Sequence, residues 1–599
     1  MSTVQQSVVV HAHCYQPPRE DPWLEVVEAE PSASPDHDWN ARIDRECYAR
    51  LGVAESRRRD KRAAPRDPDA RSGLSRIVNL YGWCSFDVGA TLCEWLETEA
   101  PATLAAMQAG DAASVHRWGH GNAIAAPYHH VILPLASRRD KITEVRWGIA
   151  DFRKRFRRDP EGMWLPECAV DDETLEVLAQ EGIRFTILAP YQLRGAEGTH
   201  GMPVRWRGAS GRDIAILPYD GNLAGEVAFG GLLRDAATLA NRLARPESVD
   251  DGIRRCTTLA TDGETFGHHH RGGDSTLADA FVQIAARRTG LVTNPAALVA
   301  DYPPTVDVAL VSPSAWSCAH GVERWRSNCG CRLDGNRPPA QEWRGPLRDA
   351  LVMLADHCHD VFEREGQTHF RDDPWAVRNA YGAVVAQDGE VLETFVRAQL
   401  ADHQSAPGMQ RARELLELER AVLRMFTSCA WFFDDVDRIE TRQVLRYAAR
   451  ALELSAAAPH LAPAFVHALA AARGSTPGSG AASDLFVREA LPHRDAAWSA
   501  AAGVIACASL GMHHTLVGCY DVQLRRHDSA WEATVTHRRT GRKALLSGYP
   551  IGEGPSLTVI VTQLDVAEGA SHDIAIHEFP ESLARALLSS LASSDEALK

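Results

Sequence analysis

GMWLPECAV, residues 162–170, is an apolar run that ends on a single acid, Glu167. Strands often finish on a charged residue at the solvent boundary, so the stretch taken alone fits a plain strand end. Its surroundings are more specific. From residue 7 to about 290, the β-rich runs SVVVHAH, GMWLPECAV, IRFTILAP, DIAILPYD and CTTLATDGETFG alternate with helical segments such as DDETLEVLAQEG. That rhythm predicts an α/β domain on a largely parallel sheet. The runs are continuous rather than alternating, which predicts burial on both faces, as in a barrel or a doubly wound sheet. In either architecture ligands bind at the C-terminal ends of the strands.

Working outward, 599 residues exceed what one hydrophobic core usually organises, and a 45% apolar content fits a globular chain. No run of about 18 apolar residues predicts a membrane span, and the N-terminus lacks the basic region of a signal peptide. Thirteen scattered cysteines, an odd number, favour reduced thiols and a cytoplasmic setting over a disulfide framework. A formal charge of −15 argues against nucleic acid as a partner. The basic run RRRDKRAAPR at 57–66 is expected to be a solvated loop.

Beyond about 340 the pattern becomes helical. RARELLELERAVLRMFTSCAWFFDDV places Leu415, Leu418, Val422, Phe426, Cys429 and Phe433 at three- and four-residue spacing and reads as one long helix. RGSTPGSGAAS, residues 473–483, reads as a flexible linker or surface loop. The runs TLVGCYDVQLRR, WEATVTHRR and SLTVIVTQLD predict a small β-rich module at the end.

Three predicted strand ends carry polar residues that a buried strand does not need: His11 and His13 in VVVHAHCYQPP, Glu167, and Asp262 with Glu264 in LATDGETFGHHH. Each has a structural explanation alone, as a bonded core histidine or an Asp-Gly turn. Together they converge on one mouth of an α/β barrel. Two carboxylates there suit glycoside hydrolysis or transfer, one attacking and one shuttling a proton. Trp164 and Phe266 stand close by in sequence as aromatics suited to sugar stacking.

The motifs HAHCYQP, GMWLPECAV, TDGETFGHHH and MFTSCAWFFDD, in this order, resemble glycoside hydrolase family 57, whose members act mainly on α-glucans. The resemblance implies a distorted seven-stranded β/α barrel (1–300), a helical domain closing over the site (301–472), the 473–483 linker, and a mixed, β-rich C-terminal module (484–599). It implies a retaining glycosidase or glucanotransferase with Glu167 as nucleophile and Asp262 as acid/base. His11, His13 and Gln16 would contact sugar, Glu264 would orient, and Trp316 and His320 would line the site. The chain departs from the family where WGHGNAIAAPYHHVILPL offers Asn122 and His130 without an acid, so subsites are expected to differ.

Alternatives remain at this level. His11, His13, Asp262 and the triplet His268–His270 have ligand types suited to Zn²⁺, as in metal-dependent deacetylases and α-mannosidases on similar barrels. A non-catalytic carbohydrate-binding protein is a third class. The favoured reading needs no cofactor and no catalytic metal. Cys318, His320, Cys329 and Cys331 could hold a structural metal, although the C-x-C spacing differs from the common C-x-x-C knuckle. Trp431, rotated about 200° from Cys429 on the supposed helix, is expected to face away from its own core. With Asp434 or Asp435 it would wall the sugar site.

Overall fold

The computed structural model describes residues 6–56, 76–244, 253–336, 340–401, 405–456, 458–476, 478–564 and 570–597; the basic run at 57–66 lies outside them. It forms two compact units, one of residues up to 18 and 31–325, the other of residues 19–30 and 326 onward.

The first unit is built on parallel strands: β1 (Gln6–Cys14), β2 (Ser85–Val88), β3 (Ala123–Ile124), β4 (Phe185–Leu188), β5 (Asp213–Pro218) and β6 (Arg255–Asp262). β1 lies between β6 and β2, β2 pairs with β3, and β4 with β5, all parallel. Single bridges from Ala125 to Met163 and from Gly162 to Phe185 carry the pairing from β3 to β4 through the opening of GMWLPECAV. Past the end of β5, Asp220 N donates to Thr258 O on β6 at 2.7 Å. The parallel α/β core expected from the strand rhythm is therefore present. Val8, Val9 and Val10 are fully buried, which explains why β1 reads as an unbroken apolar run.

Strand register aligns the polar residues of β1 with those of its neighbours. His11 faces Ser85, and His13 sits between Asp87 on β2 and Asp262 on β6. After Glu167 the chain turns into the helix Asp172–Gln180, started by the Asp171 side chain accepting from Thr174 N.

In the second unit the helices Arg344–His369, Ala406–Arg424 and Ile439–Leu454 bury Leu351, Leu354, Leu415, Leu418, Val444 and Leu452. A charged network is enclosed with them. Glu417 accepts from Arg539 Nε at 2.9 Å, Arg420 donates to Glu25 at 2.9 Å, and Trp23 Nε1 donates to Glu453 at 2.6 Å. Six antiparallel strands between Leu516 and Ala575 follow in sequence order and pack against the helix Ala496–Ser509, the terminal β-rich module expected.

The long helix expected through Trp431 does not form. It stops at Arg424, and Cys429–Phe432 is a separate short helix. Beyond Arg424 the backbone tightens into i−3 bonds, Phe426 N to Leu423 O and Thr427 N to Arg424 O, and the Thr427 hydroxyl adds a bond to Arg424 O at 3.1 Å that competes with the helical ladder. The 473–483 stretch folds back on itself through a bridge between Arg473 and Ala481. Asp435 pins it, accepting from Ser475 N, Thr476 N and Ser479 Oγ at 3.0 Å each. Among the described residues no helix is long and apolar enough to cross a membrane.

Candidate active site

At the C-terminal end of β1, Asp87 joins the two histidines. The buried His11 is held neutral by desolvation, which outweighs Asp87. Its Nε2–H donates to Asp87 Oδ1 at 3.1 Å and its Nδ1 accepts from Ser85 Oγ at 3.0 Å. His13 is opposite in charge. Burial opposes its protonation, but Asp87, Asp262 and Glu264 together raise its pKa to about 9. The imidazolium donates from Nδ1 to Asp87 at 2.9 Å and from Nε2 to His130 Nε2 at 3.1 Å. Desolvation, then the charge on His13, holds His130 far below the usual histidine range, so it is the neutral acceptor.

Glu167 stands at the strand end in a left-handed conformation (φ 59°, ψ 20°), and Cys168 follows at φ 48°. For non-glycine residues such geometry costs about 1–3 kcal/mol each and persists only when the surroundings impose it. Here they do. Trp316 N donates to Glu167 O at 2.8 Å, Gln192 Nε2 donates to Cys168 O at 2.7 Å, and Val170 and Ser314 pair backbone to backbone. The partly exposed carboxylate is fastened through Oε2, which accepts from Trp316 Nε1 at 3.0 Å and from Ser317 Oγ. Desolvation raises its pKa, Ser317 and Arg324 pull it down, and the charge of Asp262 pushes it up.

Asp262, also partly exposed, has its pKa raised to about 6, first by desolvation and then by Glu264, with His13 opposing. Glu264 is enclosed and accepts from Gln16 Nε2 at 3.1 Å and from the Tyr48 hydroxyl. Of the two acids after β6, Asp262 is thus the one open to a ligand and Glu264 is fixed in place.

Other candidates go elsewhere. Trp164 is fully buried, stacked on His11 (centroids 4.8 Å) and His13 (5.1 Å), so it supports the histidines instead of offering a face to sugar. Phe266 is fully buried in the turn Gly263–Phe266. The triplet disperses: His268 bonds Glu46, His270 donates to Ala228 O, and His269 is held down to about 4, first by partial desolvation and then by the charges of His268 and His270. Asn122 is structural, donating to Tyr81 O and accepting from Ser114 Oγ. His320 is exposed, two residues after the buried Cys318.

Trp431 is not a wall. It is fully buried, its indole N–H donates to Arg344 O at 3.1 Å, and the Arg348 guanidinium lies 5.4 Å from its ring. Asp434 is taken up by Leu333 N and Asp334 N at 2.9 and 2.8 Å. Trp431→Ala is therefore expected to lower stability by about 3–5 kcal/mol and to leave the KM for oligosaccharides unchanged, as thermal melts and steady-state kinetics would read. A stable variant with weakened binding would overturn this assignment.

Asp87, Tyr48, Ser317 and Arg324 escaped the sequence reading. Asp87 alone left a trace, as an acid ending the short run CSFDV.

Comparison with known proteins adds a context. Residues 39–309 match glycosyl hydrolase family 57, and residues 340–553 match a domain of unknown function (DUF3536). An α-amylase of Pyrococcus abyssi (strain GE5 / Orsay) is 22% identical over 183 residues, 30% of this chain and 26% of its own length, so the chain spans about a quarter of that relative. The crystal structure of an exo-type maltose-forming amylase from Pyrococcus sp. ST04 shares the fold, with TM-score 0.61 at 14% identity over 78% of this chain and 82% of the other. A branching enzyme from Pyrococcus horikoshii aligns with TM-score 0.47 at 13% identity over 82% and 94%. The segment that matches glycosyl hydrolase family 57, residues 39–309, is the one that carries Asp87, Glu167 and Asp262 to the ends of one parallel sheet.

Proposed function

We propose that the protein is a retaining glycoside hydrolase or glucanotransferase acting on α-linked glucans or oligosaccharides, with Glu167 as nucleophile and Asp262 as acid/base. One observation carries this: two partly exposed carboxylates, Glu167 and Asp262, end two different segments of the same parallel core, close enough that the charge of Asp262 is felt at Glu167. Retaining enzymes hold such a pair about 5–5.5 Å apart, because direct attack leaves no room for an intervening water.

In the first step Glu167 attacks the anomeric carbon while protonated Asp262 donates to the departing glycosidic oxygen. The bond to the leaving sugar breaks as the glycosyl ester to Glu167 forms. Glycosylation removes the charge of Glu167, so the pKa of Asp262 falls. Asp262 then takes a proton from water or from a sugar hydroxyl, whose oxygen displaces Glu167. His13, already committed as a cation to Asp87, limits the rise of Asp262 and keeps its proton exchangeable.

The hydrogen bonds of the histidines support the carboxylate reading over the metal-dependent alternative. Both nitrogens of His11 and of His13 are engaged with Ser85, Asp87 and His130, and the His268 and His270 side chains bond away from Asp262. A reducing, cytoplasmic location, suggested by the odd number of cysteines, is part of the proposal.

The test is a panel of α-glucans and maltooligosaccharides offered to wild type and Glu167→Gln. Products from the wild type that the variant does not form support the reading. Equal product from both would remove Glu167 from the mechanism, and none from either, with both binding sugar, would leave a binding protein instead.

A further inference from the structure

Glu167 Oε2 takes its two bonds from consecutive residues, the indole N–H of Trp316 at 3.0 Å and the hydroxyl of Ser317. Both donors sit on the stretch 311–322, which joins the strand Asp307–Leu310 to the turn Glu323–Trp325 and has no helix or strand of its own. Such a stretch keeps two donors aimed only if its peptide groups are tied from outside. The tie is at the peptide that links them. Trp316 O accepts from the Tyr191 hydroxyl at 2.9 Å, and the next carbonyl, Ser317 O, accepts from Arg324 Nη1 at 2.9 Å.

Tyr191 is the less expected of the two clamps. It follows β4 in the turn Pro190–Gln192 and is 56% exposed, so its ring adds little to the core. Its hydroxyl is a lasting donor, because desolvation raises its pKa to about 12. The adjacent Gln192 is fully buried and donates to Cys168 O at 2.7 Å and to Ser314 Oγ at 3.1 Å. One turn therefore grips both arms of the site, the strand end through Gln192 and the donor stretch through Tyr191. The Trp316 ring is fixed separately, edge-on to Trp164 at 5.1 Å and to Tyr219 at 6.4 Å. Release of Trp316 O would thus displace Ser317 before the indole.

We propose that Tyr191 is a positioning residue: its hydroxyl, bonded to Trp316 O, holds the 316–317 peptide so that Ser317 Oγ reaches Glu167 Oε2. The consequence for turnover rests on the nucleophile reading, whereas the hold on the carboxylate does not. The charged and titratable groups facing Glu167 are Asp262 from the end of β6, Arg324 from the turn Glu323–Trp325, and the Cys168 thiol next in the chain. Tyr191→Phe changes none of them. It loosens the Ser317 bond, which lowers the Glu167 pKa, so desolvation is left less opposed and the carboxyl takes up its proton at higher pH.

The Trp316 indole N–H reports the carboxylate it bonds, so the test needs no turnover. In the full chain labelled at the tryptophan indole nitrogens, the Trp316 signal, assigned by its loss in Trp316→Phe, is expected to titrate in the wild type and not in Glu167→Gln. In Tyr191→Phe, which deletes one oxygen from an exposed ring, the midpoint should rise by about 0.5–1 pH unit. Where glucan is turned over, kcat/KM on its acidic limb should fall by about 3–10-fold with it, and the melting temperature should stay within about 2 °C of wild type. Ser317→Ala should move the midpoint the same way, and the double variant no further than Ser317→Ala alone. A wild-type signal that does not titrate, an unmoved midpoint in Tyr191→Phe, or shifts that add in the double variant would each overturn the proposal and leave Tyr191 a plain loop tether. A midpoint that moves in a protein with no turnover on any glucan upholds the hold on Glu167 and removes the nucleophile reading instead.

Discussion

Glu167→Ala is expected to abolish turnover, a loss of at least about 10⁴-fold in kcat, because it removes the carboxylate on which the covalent intermediate forms. The shortened side chain leaves space beside the anomeric carbon. Azide should enter it and restore turnover with a glycosyl azide of inverted configuration as product. The left-handed backbone at 167 adds a second readout. Ala bears the same strain as Glu there but loses the bonds from Trp316 and Ser317, so rescue shows that the missing group is the carboxylate and not the local fold. Near-wild-type activity in Glu167→Ala would remove the residue from the mechanism.

The second large effect belongs to Asp262. As the acid it must be protonated, and its pKa is about 6, so kcat/KM should fall as pH rises through that value. Asp262→Asn is expected to remove this basic limb. Poor leaving groups should slow by about 10²–10⁴-fold, and activated aryl glycosides should react in the first step nearly as before. With Asp262→Ala, azide should trap the glycosyl enzyme and give an azide of retained configuration, the opposite of the Glu167 outcome. Stability carries a matching sign. A carboxylate whose pKa is higher folded than unfolded contributes most to folding below its unfolded pKa, and that contribution is lost as pH rises through the folded value. Asp262→Asn should therefore melt no lower than wild type at pH 8. Equal slowing of all leaving groups, with the basic limb intact, would pass the acid role to Glu264.

The positions of these two acids were legible because each interrupts an apolar run at its end, where it is set apart from the buried residues before it. The parallel core was legible from the same unbroken runs. Asp87 was harder. Its run, CSFDV, is too short to show a period, and its importance comes from register, which sets it against His13 only once β1 and β2 pair. Trp164 and Phe266 were misplaced because nearness to an acid in sequence does not say which side of the sheet a ring occupies. Trp431 misled through periodicity: the apolar spacing runs on through residues 425–433, while the helix beneath it ends at Arg424. The glycine- and serine-rich stretch at 473–483 reads as loose by composition, yet those small residues let the chain close around Asp435.

Residues 19–30 leave the first unit immediately after β1 to join the second, and they set an order of events during synthesis. Trp23 emerges from the ribosome early, but its partner Glu453 lies 430 residues later, and Arg420, the partner of Glu25, lies 395 residues later. At about 5–20 residues per second, roughly 20–90 s pass before these contacts can form. β1 waits as well, since β6 ends at Asp262. An indole destined for complete burial is thus held in the open while most of the chain is still being made. Near its first strand the nascent chain therefore keeps an apolar side chain open to aggregation until the C-terminal half has been made.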